Sequence, residues 1–154
     1  MRAILAAMRL PFAPAALLWL TLFNNLPANE TTRGNPQLEQ VLETQRATWN
    51  HGDLEAFMQT YWHSSDLTFF SGNTIMKGWQ STLDRYQRRY GTSKQQLGQL
   101  NFTDEQVQML APDAALVTAR WHLAMPDGQK REGLTTVICR RLPEGWKIIH
   151  DHSS

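Results

Sequence analysis

The sequence is poor in cysteine, since Cys139 is the only one among 154 residues. A single cysteine excludes an internal disulfide and any metal site built from a cluster of thiolates. Cys139 lies in a run of β-forming residues between Ile138 and Arg140, where a thiol is typically a small buried hydrophobe. The fold must therefore be stabilised by an apolar core rather than by covalent cross-links.

The sequence also has almost no excess of positive over negative charge. The formal net charge is +1, and like charges occur as isolated pairs such as Arg88-Arg89 and Arg140-Arg141. This balance gives no basis for a nucleic-acid partner. The length suits one domain with a single core. The sequence contains no internal repeat and no low-complexity segment. It also lacks a nucleophile elbow, a phosphate loop and a dinucleotide-binding motif, and nothing in it indicates a cofactor.

The N-terminal apolar run is too short to cross a membrane. It covers the 11 residues Ala13–Phe23, whereas a stable span needs about 20. Arg2 and Arg9 precede it and Leu26-Pro27-Ala28 follows, so residues 1–28 resemble a secretory signal peptide with cleavage after Ala28. We expect a periplasmic or secreted protein, with residues 29–35 as a linker. An uncleaved tail or a misassigned start codon would instead leave the protein in the cytoplasm.

Helical periodicity begins after this segment. Pro36 suits the first turn of a helix, Gly52 suits its C-cap, and Asp53 suits the N-cap of a second helix. A third helix begins after Gly78 and ends at Gly91. Apolar stripes support all three: Leu38, Val41, Leu42 and Trp49 on the first, Leu54, Phe57, Met58, Tyr61 and Trp62 on the second, Trp79, Leu83, Tyr86 and Tyr90 on the third.

Strand-like runs fill the rest of the chain. Leu67–Ser71 and Thr74–Lys77 flank a Gly72-Asn73 turn, and a strand around Leu100–Leu110 is broken by Asp104-Glu105. Three further strands follow, separated by two Pro-x-Gly turns. The order α-α-β-β-α-β-β-β-β predicts an α+β fold. We expect a curved antiparallel sheet wrapped around N-terminal helices, which leaves a cone-shaped cavity between them.

Several short segments, taken in order, resemble one family. They are Trp49-Asn50-His51-Gly52-Asp53 at a helix break, Gly78-Trp79 at a helix start, Gly133-Leu134-Thr135-Thr136 in a strand and the ending from Trp146 to Ser154. Residues 36–154 resemble the nuclear transport factor 2-like superfamily, especially its SnoaL-like members. The resemblance implies a cystatin-like α+β barrel. The superfamily includes isomerases, dehydratases, cyclases and association domains, so the fold alone does not fix the function.

The terminal strand carries the first candidate site residues. If the strand is regular, Trp146, His150 and His152 share one face. A histidine there would suit proton transfer near neutral pH. Two histidines are too few for a zinc site, so no metal is expected. With the aromatic surplus, this predicts a cavity whose polar end is His150 or His152 and whose lining includes Trp62, Trp79, Tyr86, Trp121 and Thr136.

The acidic candidates are less distinctive. Asp151 falls on the opposite face of a regular strand from the two histidines, Asp84 lies off the apolar stripe of the third helix, and Asp66 is placed to act as a cap. No carboxylate stands out as buried, which departs from the pattern of ketosteroid isomerases. A dehydratase-like scheme would use His150 or His152 with Tyr61 or Tyr86.

Arg120 and His122 alternate with Trp121 on the predicted fourth strand. They lie on the outer sheet face if Trp121 faces the core, although Arg120 in the cavity is an alternative. The resemblance implies a homodimer through the outer face. Three functions stay open: an exported domain that binds a small, largely apolar molecule, a cofactor-free lyase or isomerase that uses His150 or His152, and a homodimeric association module.

Overall fold

The computed structural model describes residues 35–91 and 94–154, which form four helices and six strands. The predicted signal peptide and the first part of the linker lie outside the described residues. Within the described part, no helix has the length and apolar character that crossing a membrane requires. The helices are α1 Pro36–His51, α2 Leu54–Met58, α3 Trp79–Tyr90 and α4 Lys94–Leu97. The strands are β1 Thr68–Ser71, β2 Thr74–Lys77, β3 Gln99–Ala111, β4 Ala114–Ala124, β5 Lys130–Leu142 and β6 Gly145–Ser153.

The junction between α1 and α2 has the predicted caps. Gly52 takes a left-handed conformation with φ 91°, which favours glycine, and its amide donates to the end of α1. The Asp53 carboxylate accepts a hydrogen bond of 2.8 Å from the amide of Ala56 and begins α2. Both helix boundaries read from the sequence at this point are confirmed.

The strands form one sheet in the order β2-β1-β6-β5-β4-β3. Neighbouring strands are antiparallel except β1 and β6, which run parallel. The predicted α+β class, with N-terminal helices against a mainly antiparallel sheet, is confirmed. The parallel pair was not expected, and it places the short hairpin of β1 and β2 beside the end of the chain.

The core lies between the helices and one face of the sheet, called here the inner face. Side chains alternate along β4, so that Ala115, Val117 and Ala119 are buried while the residues between them are partly exposed. Helix α1 packs against β3 and β6. Asn50 at its end binds Leu100 at the start of β3 through two hydrogen bonds, 2.6 Å from the Leu100 amide and 2.9 Å to its carbonyl.

Irregular pairing interrupts two of the long strands. In β3 the register shifts between Thr103 and Gln106, and Asp104 has a positive φ of 55°. The predicted break at Asp104-Glu105 is therefore a β-bulge inside one continuous strand. In β6, Ile148 pairs with Cys139 and His150 pairs with Ile138, so Ile149 is the extra residue of a second bulge. This second bulge decides which side chains of β6 reach the inner face.

Candidate functional site

A cavity of about 580 Å³ opens between the helices and the inner face of the sheet. This is the size of a small-molecule site. Its lining combines aromatic rings with a few polar groups. The lining residues come from α1, α2 and α3 and from all six strands. The principal lining residues are Trp49, Phe57, Tyr61, Phe69, Arg85, Tyr86, Arg89, Tyr90, Phe102, Trp121, Thr135, Asp151 and Ser153.

Asp151 lies at the buried end of the cavity, called here the base, with only 3% of its surface exposed. Its Oδ2 accepts a hydrogen bond of 2.7 Å from the hydroxyl of Tyr61. Its Oδ1 accepts bonds of 2.7 Å from Ser153 and 3.4 Å from Thr135. A carboxyl group with three hydroxyl donors is therefore held rigidly inside an otherwise apolar core.

The bulge at Ile149 explains why Asp151 faces inward. Trp146 and Ile148 point to the inner face before the bulge, and Asp151 and Ser153 point there after it. One extra residue changes the side on which every later side chain falls. The prediction that Trp146 shares a face with the two terminal histidines is wrong for this reason, and so is the prediction that no carboxylate is buried.

Burial has the largest effect on the pKa values of the ionisable groups at the base of the cavity. Desolvation raises the pKa of Asp151, while the hydrogen bonds from Ser153, Tyr61 and Thr135 oppose this rise in the pKa. The pKa of Tyr61 is raised well above its usual value by burial first and by the charge of Asp151 second. The same two causes raise the pKa of Tyr86. The base therefore holds neutral phenols beside a carboxyl group that binds its proton more tightly than an exposed one.

Aromatic rings in edge-to-face contact form the wall near α1 and α3. The ring of Trp49 lies 5.3 Å from that of Phe57 and 5.0 Å from that of Tyr90. Tyr86 lies 5.3 Å from Phe57 and 5.6 Å from Phe69. Such packing fixes the rings and presents flat apolar surfaces to the cavity.

Trp121 forms the opposite wall on β4, beside Gly133 of β5. A Cβ at Gly133 would come within 2.7 Å of Trp121 Cζ2 and would collide with the backbone of Ser154, so only glycine leaves room for the indole. Trp121 Nε1 is buried without a hydrogen-bond partner among the described residues. A buried donor without a partner is costly, so an acceptor on a bound molecule would relieve that cost.

The solvent-exposed lining residues form the mouth of the cavity. Arg89 and Glu132 are exposed there, and Arg85 is half-buried one helical turn before Arg89. Glu132 lies 3.2 Å from His122 on β4. In the described parts of the chain, neither Arg85 nor Arg89 has a carboxylate partner.

The structure brings two of the sequence-predicted lining residues to the cavity, Tyr86 and Trp121. Trp79 is buried elsewhere and donates its indole N–H to the carbonyl of Met58 at 2.8 Å. Trp62 is half-buried and does not line the cavity, and Thr136 lies on the outer face opposite His152. These three placements correct the predicted lining.

His150 and His152 also lie on the outer face. His150 Nδ1 is 2.6 Å from the hydroxyl of Thr68, and the rings of both histidines contact Phe70. Neither ring lines the cavity. Arg120 alternates with Trp121 and pairs with Asp104 at 3.5 Å on the same outer side, so the alternative placement of Arg120 in the cavity is wrong.

The sequence patterns gave no role to Arg85 or Arg89, and regular alternation placed the acidic candidate Asp151 on the wrong face. Tyr61 was a candidate only as the proton-transfer partner of a terminal histidine. Arg89 carried a usable signal, because it lies one helical turn after Tyr86, which was already a candidate. Asp151 carried none, because the bulge leaves no mark in the sequence. Among the described residues, no group of three or more His, Cys, Asp or Glu side chains is arranged to hold a metal ion.

Comparisons with known proteins agree with this architecture. A protein of unknown function from Shewanella oneidensis MR-1, described as NTF-2 like, is 36% identical over 77% of this chain and 96% of its own, with a TM-score of 0.72. A putative ketosteroid isomerase from Parabacteroides distasonis is 21% identical over 82% of this chain and 92% of its own, with a TM-score of 0.61. At that identity the likeness shows the fold alone.

A third similar structure is a putative calcium/calmodulin dependent protein kinase II association domain from Xanthomonas campestris. It is 17% identical over 88% of this chain and 96% of its own, with a TM-score of 0.62. No curated protein matches the sequence. The family model described as SnoaL-like domain matches residues 38–154. The chain therefore belongs to the SnoaL-like family of the nuclear transport factor 2-like superfamily.

Proposed function

We propose that the protein binds a small, largely apolar molecule in its cavity, with an oxygen atom of that molecule placed at Asp151 and Tyr61. The buried hydrogen bond between these two side chains, at the end of an aromatic cavity, carries the proposal. A few fixed polar groups in a mostly apolar pocket orient a ligand, and an oxygen atom placed beside Asp151 and Tyr61 would join their hydrogen-bonded network.

The walls favour a flat ligand. Trp49, Tyr86 and Tyr90 on one side and Phe102 and Trp121 on the other offer aromatic faces and edges to the enclosed space. Rings that are already fixed by edge-to-face contacts lose little conformational freedom when a ligand packs against them. A planar ring system with one oxygen at its deep end fits both the walls and the base.

A second function, cofactor-free isomerisation or elimination, is favoured by the raised pKa of Asp151. The ionised carboxylate would take a proton from carbon next to a carbonyl group, while the electron pair moves to the carbonyl oxygen. The Tyr86 hydroxyl would stabilise that oxygen. In a β,γ-unsaturated ketone, protonated Asp151 would return the proton to the γ-carbon as the carbonyl group re-forms; in an elimination, a β-hydroxyl group would instead take that proton and leave as water. In this scheme Asp151 takes the role that the sequence assigned to His150 or His152.

A ligand screen by thermal shift and native mass spectrometry tests the binding proposal. Compounds that stabilise the wild type should lose affinity in Asp151→Asn and Tyr61→Phe variants by roughly tenfold or more, the cost of one hydrogen bond to a charged or buried group. If hits bind both variants as tightly as the wild type, the base of the cavity is not the binding site.

Incubating the hits in ²H₂O tests the second function, because proton transfer exchanges a carbon-bound hydrogen only when Asp151 is present.

Two further proposals concern assembly and location. We propose a homodimer through the outer sheet face, where Leu134 is 53% exposed and Ile138, four residues later on β5, is partly exposed, since covering exposed apolar side chains favours association. Dimerisation without a ligand would make the chain an association module, the description given to the putative association domain from Xanthomonas campestris.

We also propose export after cleavage at Ala28. N-terminal sequencing of the native protein tests this, because an intact Met1 would contradict it.

A further inference from the structure

We infer that the cavity selects molecules that carry an anionic group, which Arg85 and Arg89 bind at the mouth while an apolar ring system fills the interior. The inference rests on the proposed binding function and names its ligand class as aromatic or polycyclic acids. Carboxylate, sulfonate and phosphate share the required chemistry, because each presents oxygen atoms that a guanidinium fork can bind.

The two arginines lie together on one element. They are four residues apart on α3, which places them on the same face of the helix, and both line the cavity. Tyr86 and Tyr90 follow each of them directly and also line it. Helix α3 therefore alternates cationic and aromatic groups along the cavity, which matches a ligand with an acid group at the end of an apolar body.

No described carboxylate forms an ion pair with either arginine. Arg46, Arg120 and Arg140 each lie within 3.5 Å of a carboxylate. Arg85 and Arg89 have no such neighbour among the described residues. The guanidinium of Arg89 instead lies 5.4 Å from the ring centre of Tyr90, which holds it at the mouth through a cation–π contact.

Two carboxylate side chains also line the cavity, and neither forms an ion pair with Arg85 or Arg89. Glu132 at the mouth is engaged with His122 at 3.2 Å. Asp151 is at the base and shares its carboxyl group with Tyr61. An anionic ligand group would therefore meet two cations at the mouth, and the half-buried position of Arg85 would strengthen its charge-assisted hydrogen bonds.

Two dyes that differ by one anionic group provide the test. 8-Anilinonaphthalene-1-sulfonate and N-phenyl-1-naphthylamine have the same rings, and only the first carries a sulfonate. We expect the purified protein to bind the sulfonate at least roughly tenfold more tightly, as for a hydrogen-bonded charge. The double variant Arg85→Gln/Arg89→Gln should lose this preference. Arg88→Gln, an exposed arginine on the same helix outside the cavity lining, should keep it.

The outcomes separate this inference from the proposed function. A Ser71→Trp variant places an indole in the cavity and should weaken the binding of both dyes. Equal affinity for the two dyes, with sensitivity to Ser71→Trp, would overturn the anion preference and leave the apolar cavity supported. A preference that survives in the double variant would also overturn it. Binding of neither dye would overturn both proposals.

Discussion

Tyr61 donates a hydrogen bond of 2.7 Å to Asp151 across a sequence separation of 90 residues. The same region is tied by the backbone, because Tyr61 forms an isolated parallel bridge with Ile148 and the Ile148 amide donates to the carbonyl of Thr60. The end of the second helix is thus attached to the last strand by both main-chain and side-chain bonds. The base of the cavity is therefore a part of the core as well as a candidate site.

The buried carboxyl of Asp151 predicts a stability that falls as pH rises. The unfolded chain loses this proton near the ordinary aspartate pKa, whereas the raised pKa keeps the proton bound in the folded state. Between the two pKa values the folded state binds more protons, so the free energy of unfolding decreases with pH, by about 1.4 kcal/mol for each unit of difference. An Asp151→Asn variant has no such titration, so its stability relative to wild type should increase from pH 3.5 to pH 8.

Urea denaturation followed by tryptophan fluorescence at several pH values measures this difference. Asp66→Asn removes an exposed carboxylate and controls for the change in net charge. That control should follow the pH dependence of the wild type. A constant difference between Asp151→Asn and wild type across the range would contradict the prediction, and so would a difference of the opposite sign.

Removing the Tyr61 hydroxyl should destabilise the protein and extend the pH range of the effect. A Tyr61→Phe variant keeps the buried ring but deprives Asp151 of one of its three donors, and that bond opposes the rise in the pKa of Asp151. We expect a loss of about 1–3 kcal/mol at pH 7, the cost of a hydrogen bond to a charged or buried acceptor. The same denaturation series measures it.

Tyr90→Phe is the matched control, because Tyr90 lines the same cavity and its hydroxyl makes no hydrogen bond within the described residues. Its effect should stay within about 0.5 kcal/mol, as for a change away from a polar network. Equal effects of the two substitutions would show that the hydroxyl of Tyr61 has no special role.

Local sequence signals predicted most of the helices and turns but not the site. Gly52 and Asp53 act through their own backbone and side-chain chemistry, so the boundary between α1 and α2 follows from residue type. The inward position of Asp151 depends instead on one extra residue in strand pairing, which is a tertiary event. Alternation along β6 predicted the wrong face for Trp146 relative to Asp151 because it assumed a regular strand.

The short helix α4 was also missed, since four residues are too few to show a periodic pattern. The cavity itself depends on how α3 sits against the sheet, and no local signal reports that. Tyr86 and Trp121 do line the cavity, whereas Trp79, on the same stripe of α3 as Tyr86, is buried elsewhere. An apolar stripe therefore predicts burial but not which buried rings reach the cavity.

An arginine on the outer sheet face should prevent self-association. Leu134 is 53% exposed in β5, so a Leu134→Arg substitution perturbs the fold little, within about 0.5 kcal/mol, as for an exposed site. If the outer face forms a dimer, a buried charge there costs several kcal/mol and should yield monomers at micromolar concentration. Light scattering measures the mass of the particles in solution and so distinguishes dimer from monomer.

Gln129→Arg, in the exposed turn before β5, controls for the added charge and should leave the dimer intact. A monomeric wild type contradicts the proposal.

The terminal histidines should affect assembly rather than ligand binding. Their rings pack on Phe70 at the outer face, while Asp151 between them faces the cavity. A His150→Gln/His152→Gln variant should therefore keep its affinity for ligands identified by thermal shift, within about twofold at pH 5 and at pH 8, because both side chains lie outside the cavity. Among the groups that lower the pKa of Asp151, His150 comes last, after the hydrogen bonds from Ser153, Tyr61 and Thr135. Asp151→Asn, measured in the same titrations, should change both the affinity and its pH dependence. Loss of affinity in the histidine variant alone would contradict this prediction and move the site to the outer face. The two imidazole rings cannot reach the cavity unless β6 separates from β1 and β5.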